Sequence, residues 1–128
     1  MTPRVVLDTN IIVSAILSRN GNCAKILDMV FDNEIEYWYS RNIIFEYEDV
    51  LSRPQFNFDQ RQVSIILKTL QEKGTLINPD VSTIPFIDEE DRIFYDTAMS
   101  GKSLLVTGNK KHFPKKSFII APADFLVI

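Results

Sequence analysis

Val5-Val6-Leu7-Asp8-Thr9-Asn10 is the stretch that decides the fold. Three apolar residues, two of them β-branched, run straight into a carboxylate. A run this short reads as a strand buried on both faces, the habit of parallel sheets. Ile11 to Leu17 continues as an apolar helix, which leaves Asp8, Thr9 and Asn10 at the carboxyl end of the strand. Ligands of open α/β sheets bind at that end, where strand tips and helix N-termini converge. Alone, the stretch also has a plainer reading, with Asp8 as a turn residue and Thr9 or Asn10 as the helix cap.

Outward from it, Ser18 to Asn22 reads as a loop, and Cys23, Ala24, Leu27, Val30 and Phe31 recur at helical spacing. Glu36 to Tyr39 is aromatic-rich and reads as the second strand. Ile43, Ile44, Tyr47, Val50 and Leu51 predict a helix over 41–52, with Pro54 beyond its end. Asp59 opens a longer helix built on Val63, Ile66, Leu67 and Leu70, and Gly74 stops it. Thr75 to Asn78 reads as a short strand and Pro79 to Pro85 as a linker. Asp88 caps a further helix, with Phe94, Tyr95 and Ala98 on its inner face and Gly101 at its close. Ser103 to Thr107 is a second buried strand with a polar end, Thr107-Gly108-Asn109. Lys110 to Phe113 reads as one helical turn, Phe118 to Ile120 as a strand, and Phe125 to Ile128 as another. This alternation predicts an α/β fold: a three-layer sandwich whose mostly parallel central sheet has about five strands, in one domain over 1–128.

The 128 residues suffice for one hydrophobic core. A formal net charge of -3 provides no global positive field, so nucleic-acid binding needs a local basic patch. Cys23 is the one cysteine, which excludes an internal disulfide and multi-cysteine zinc sites. It reads as a small core residue. His112 is the one histidine, and no serine stands in a recognisable nucleophile setting to use it. It reads as structural or incidental. Asp8 interrupts what would be the apolar part of a signal peptide, and no apolar run is long enough to span a bilayer. The expected location is the cytoplasm, with no membrane partner.

Asp91 precedes Phe94, Tyr95 and Ala98 by three, four and seven residues, which places it in phase with the apolar stripe. A charge there is costly to bury unpaired. The competing reading is a capping box from Asp88 to Asp91, with first-turn acids suited to the helix dipole. Glu46 and Glu48 sit at opposite margins of the apolar arc of their helix, and the helical wheel does not choose between them. Together, carboxylates at a strand end, on a middle helix and at the start of a late helix can meet at the carboxyl edge of the sheet. Clustered carboxylates repel and need a cation, and hard oxygen ligands select Mg²⁺ or Mn²⁺ over zinc.

The same residues resemble the PIN-domain ribonucleases, in particular the toxin components of toxin-antitoxin pairs. The matching motifs are Val6-Leu7-Asp8-Thr9-Asn10, Glu46 within Ile43 to Leu51, and Arg53-Pro54-Gln55-Phe56. Asp88-Glu89-Glu90-Asp91 leading to Ala98 follows, and then Leu105 to Pro114. The resemblance spans nearly the whole chain. It implies a parallel sheet between helices and a Mg²⁺-dependent cut of single-stranded RNA. It implies Asp8, Glu46 and Asp91 as the acidic, metal-holding catalytic set, and so selects Glu46 over Glu48. Asn10, Asp88, Thr107 and Asn109 are the supporting residues it implies, with capping the expected role of Asp88. Asn109 departs from the wider family, which often has aspartate there. A small antitoxin is the implied partner, and a homodimer is compatible with the pattern.

Lys110, Lys111, Lys115 and Lys116 crowd the segment after Asn109. They read equally well as a solvated loop and as a clamp on an RNA backbone. Tyr37, Trp38 and Tyr39 read as core, ahead of base stacking. Two other readings stand beside the nuclease. One is phosphoryl transfer to Asp8, as in a receiver domain, although Asp8-Thr9-Asn10 lacks the second acid. The other is a catalytically weak RNA- or protein-binding module.

Overall fold

Val5, Val6 and Leu7 have no exposed surface. Successive strand side chains point to opposite faces, so burial of all three means that both faces of this strand are covered. The computed structural model describes residues 2–128 and shows what covers them. Five strands form one sheet: β1 (Arg4–Leu7), β2 (Glu36–Tyr39), β3 (Thr75–Leu76), β4 (Leu104–Val106) and β5 (Ile119–Ile120). Their order is β3-β2-β1-β4-β5, and every neighbouring pair is parallel. The expected α/β sandwich is therefore present, with a sheet that is wholly parallel.

The helices are α1 (Thr9–Leu17), α2 (Asn22–Phe31), α3 (Arg41–Leu51), α4 (Gln60–Lys73), α5 (Arg92–Gly101) and α6 (Pro122–Phe125). α5 packs along β1, β2 and β4, while α1 contacts α2 and α3, and α4 contacts β2, α2 and α3. Tyr37 and Tyr39 stack at 5.6 Å within the core, the packing role expected of them. Trp38 lies under the Arg4 guanidinium. Cys23 is half-buried against the core. Among the described residues no helix is long and apolar enough to cross a membrane.

Several local expectations change. The expected strand over 125–128 is absent: Pro122 at the first helical position and Asp124 in the first turn set up α6, which takes in Phe125 and runs out into a turn. Gly101 stays inside α5, and Lys102 takes the left-handed C-terminal position at φ 51° instead. Gly74 does end α4, at an ordinary φ of -90°, because of space. A Cβ there would stand 2.6 Å from Tyr37 Cδ2. The Asp88 cap leads first into a 3₁₀ turn, Glu89–Asp91, and only then into α5.

Candidate functional site at the carboxyl edge of the sheet

The register of the sheet creates the site. Leu7 pairs with Val106, so the residues just beyond them, Asp8 and Thr107, meet although 99 positions separate them. Thr107 Oγ1 donates to Asp8 Oδ2 at 2.6 Å, and the Asn109 backbone N–H donates to Thr107 Oγ1 at 3.0 Å. The Thr9 N–H donates to Asp8 Oδ1 at 2.7 Å. Asp8 itself is thus the cap of α1, and neither Thr9 nor Asn10 takes that role. Asn10 lies inside the helix and accepts from the Gly108 N–H at 3.3 Å, tying α1 to the loop after β4.

α3 is locked to the same strand end from below. Tyr47 is fully buried, and its hydroxyl donates to the Leu7 carbonyl, one residue before Asp8. Tyr37 donates in turn to the Tyr47 hydroxyl at 3.1 Å. Glu46, next to Tyr47, is thereby turned toward Asp8. Asp8, Glu46 and Asp91 all line one cavity of about 280 Å³, together with Asn10, Glu90 and Asn109. Phe56, Phe94, Val13 and Val50 supply its apolar wall. Glu48 instead lines a separate groove between α3 and α4. Of the two residues that the helical wheel left open, Glu46 shares the cavity with Asp8 and Asp91, and Glu48 does not.

Asp8, Glu46 and Asp91 are held above the ordinary carboxyl range. Burial raises Asp8, against the lowering effect of its bonds to Thr107 and Thr9. Burial raises Glu46, helped by the charges of Glu90 and Asp49. Asp91 is pushed up to about 6, first by burial and then by Asp8 and Asp88. Desolvation and mutual repulsion both favour the neutral form, and a cation among these groups would reverse both effects.

Asp91 and Asp88 divide the roles expected of a capping box. Asp88 Oδ1 accepts from the Glu90 N–H at 3.0 Å and caps the turn, outside the cavity. The Asp91 side chain makes no return bond to the cap. Its Oδ2 is buried without a hydrogen-bond partner, with His112 Nδ1 3.7 Å away. His112, expected to be incidental, therefore stands against the site, as does Glu90. Neither was legible from spacing: Glu90 sits among four consecutive acids, and His112 reaches Asp91 only through the turn after β4. Thr107 lies behind Asp8 and outside the cavity lining, a supporting position.

The donor set suits a hard divalent cation: carboxylate and amide oxygens, with one buried oxygen left without a partner. Among the described residues, no three His, Cys, Asp or Glu side chains converge closely enough to hold an ion by themselves. Lys110, Lys111, Lys115 and Lys116 are all exposed on the adjoining loop, and among the described residues none is ion-paired.

This architecture has known counterparts. An uncharacterized protein of Methanocaldococcus jannaschii, MJ1680, is 30% identical over 110 residues, covering 84% of this chain and 71% of that protein. The crystal structure of PAE2754 from Pyrobaculum aerophilum superposes with a TM-score of 0.60 at 16% identity, over 98% of this chain and 88% of that one. VapBC2 from Rickettsia felis, solved bound to a DNA fragment from its promoter, gives 0.57 at 19% identity, over 92% of this chain and 96% of that one. At these identities the two structures show the fold alone. The PIN-domain family model matches residues 4–111, which takes in β1 through the turn carrying His112's neighbours, and the chain belongs to that family, whose members are in general nucleases.

Proposed function

We propose that this protein is a metal-dependent endoribonuclease that cuts single-stranded RNA, as the toxin of a toxin-antitoxin pair. The observation that carries the reading is the convergence of Asp8, Glu46 and Asp91, from three separate elements, on one cavity at the carboxyl edge of the sheet. In this reading one or two of these side chains would bind Mg²⁺ or Mn²⁺ directly and the remainder through the waters the ion keeps. Bound there, the ion would polarise the scissile phosphate and lower the pKa of an attacking water. Asp8 supplies a fixed oxygen, because Thr107 and Thr9 hold its orientation. Glu46 is half-buried with a raised affinity for protons, which suits it to take one from water. Asn10 fixes the loop after β4, Asn109 adds a neutral oxygen, and Asp88 holds the turn that presents Asp91. The exposed lysines 110, 111, 115 and 116 hold the RNA backbone.

Likeness to VapBC2 supports the toxin reading at the level of fold. The partner is then a small antitoxin that covers the acidic cavity, presenting an Arg or Lys to the carboxylates. The proposed location is the cytoplasm, where a lone thiol such as Cys23 stays reduced. The test is a cleavage assay on mixed single-stranded RNAs with Mg²⁺ and Mn²⁺ titrated from zero, with Asp8→Asn as control. Metal-dependent cuts that vanish in the variant are expected. Cleavage of equal rate in chelator, or in the variant, overturns the assignment.

A further inference from the structure

A second cleft adjoins the acidic cavity. It encloses about 360 Å³ between residues 84–87, which precede the Glu89–Asp91 turn, and residues 112–114 of the loop after β4. Lys116 also lines it. His112 lines this cleft and stands 3.7 Å from Oδ2 of Asp91, which lines the acidic cavity.

The walls of the cleft are apolar and fixed. Phe86 meets Tyr95 edge to face at 5.5 Å and Phe113 at 6.2 Å, with the Arg92 guanidinium 4.8 Å from its ring. Arg92 is anchored in turn to the Ser82 carbonyl at 2.8 Å and to Glu89. Beside this braced wall Ile87 is 83% exposed and contributes nothing to the core. With Ile84, Pro85, Phe113 and Pro114 it makes one contiguous apolar surface, the feature that marks a contact site. The acids Asp88 to Asp91 follow Ile87 in the chain but none of them lines the cleft, whose one lining ammonium is Lys116, with Lys110, Lys111 and Lys115 exposed on the same loop.

Apolar walls with unpaired ammonium groups beside them match a nucleotide. A base offers flat apolar faces to the walls, and its phosphate offers charge to the lysine. An apolar protein side chain would match the walls and leave the lysines unused. We infer that this cleft is a nucleobase subsite, holding the base of a nucleotide that flanks the scissile phosphate of single-stranded RNA. Ile87 and Phe113 contact the base, and Lys116 contacts its phosphate. The inference rests on the ribonuclease reading for its ligand, and it adds the place where that enzyme would read its substrate.

The test separates the two readings because it needs no cleavage. A labelled single-stranded octaribonucleotide, and the same octamer with abasic residues, are titrated against the intact protein in chelator and followed by anisotropy. The octamer with bases should bind more tightly. Ile87→Ala should weaken it roughly fivefold to tenfold, as expected for one partly buried apolar face, and leave the abasic probe unaffected. Lys116→Ala should weaken both probes and reduce the salt slope by about one. Ile87 is outside the core, so circular dichroism of the variant should match the parent. Affinity indifferent both to the bases and to Ile87→Ala overturns the inference and leaves the cleft to a protein side chain, even if RNA cleavage is found. Base-dependent binding in a protein that cuts no RNA keeps the subsite and removes the nuclease.

Discussion

Asp8 and Asp91 face the same cavity on opposite terms. Asp8 is buried at the end of the central strand, and each of its oxygens accepts a hydrogen bond from the protein. Asp91 sits on a 3₁₀ turn, and its buried Oδ2 has no hydrogen-bond donor. The first carboxylate is satisfied by the fold itself. The second is a cost that the fold carries until something positive arrives. A site built this way has one oxygen fixed in advance and one whose charge waits for a ligand.

The largest expected effect removes the contrast from both sides. Asp8→Asn and Asp91→Asn should each reduce RNA cleavage by more than about a hundredfold, beyond what the loss of an outer-shell partner costs a metal site. Circular dichroism should show the fold intact in both. Parental cleavage by either purified variant would break the comparison, because that carboxylate would then be dispensable.

Next comes the pH dependence of stability. The Asp91 carboxyl moves from 3.8 to about 6 on folding, so the native state binds its proton more tightly than the unfolded chain. Stability from this group is therefore lost as pH rises from about 4 to about 6, and the loss is complete above that. Discounted for solvent screening of a partly buried group, the full effect is on the order of 1–2 kcal/mol. Asp8 and Glu46 are raised too and act in the same direction. Urea unfolding in chelator should show Asp91→Asn gaining on the parent across that window. Millimolar Mg²⁺ should restore the parent by about 1.4 kcal/mol at ten times the dissociation constant. Parallel pH curves for the two proteins would show that Asp91 is not strained.

How legible these two residues were in the sequence follows the same divide. Asp8 was readable, because a β-branched run ending in a carboxylate leaves little choice about where the strand stops. Its partner Thr107 was readable as a strand end, although the bond between them depends on sheet register, which no local pattern states. Asp91 was in phase with the apolar stripe of its helix, which flagged it, but the capping-box pattern offered an equal account. Only the fold separates the roles of Asp88 and Asp91. Glu46 needed the packing of α3 through Tyr47, a contact that spans 40 residues in sequence. The C-terminal helix is a different case: Pro122 and Asp124 announced it locally, and the apolar tail of Phe125 to Ile128 obscured them.

A smaller effect tests the satisfied side of the comparison. Thr107→Val keeps the shape and removes the donor to Asp8 Oδ2. A hydrogen bond to a buried charged group should cost about 2 kcal/mol when lost. Denaturant unfolding above pH 7 measures it. Because the Asn109 N–H also loses its acceptor, cleavage should fall as well, by roughly 10- to 100-fold. A Thr107→Val protein as stable and active as the parent would mean that Asp8 holds its place without help.

The smallest expected effect concerns Asn109, which lines the cavity beside both acids without belonging to either side of the contrast. Its backbone is committed, since its N–H supports Thr107, but its side chain caps nothing. The residue is exposed, so an aspartate there would be solvated and would not repeat the burial cost of Asp91. The amide oxygen can coordinate a cation but brings no charge. Asn109→Asp adds one negative charge to a site whose affinity for hard cations depends on ligand charge. In a water-exposed position that charge should tighten Mn²⁺ binding by roughly fivefold without RNA. Its effect on cleavage combines this gain with repulsion of the substrate phosphate, so metal binding is the clean readout. Calorimetric Mn²⁺ titration of both forms, at equal ionic strength and without RNA, decides it. Equal affinities would place Asn109 beyond the reach of the ion, as a turn residue whose contribution ends at its backbone N–H.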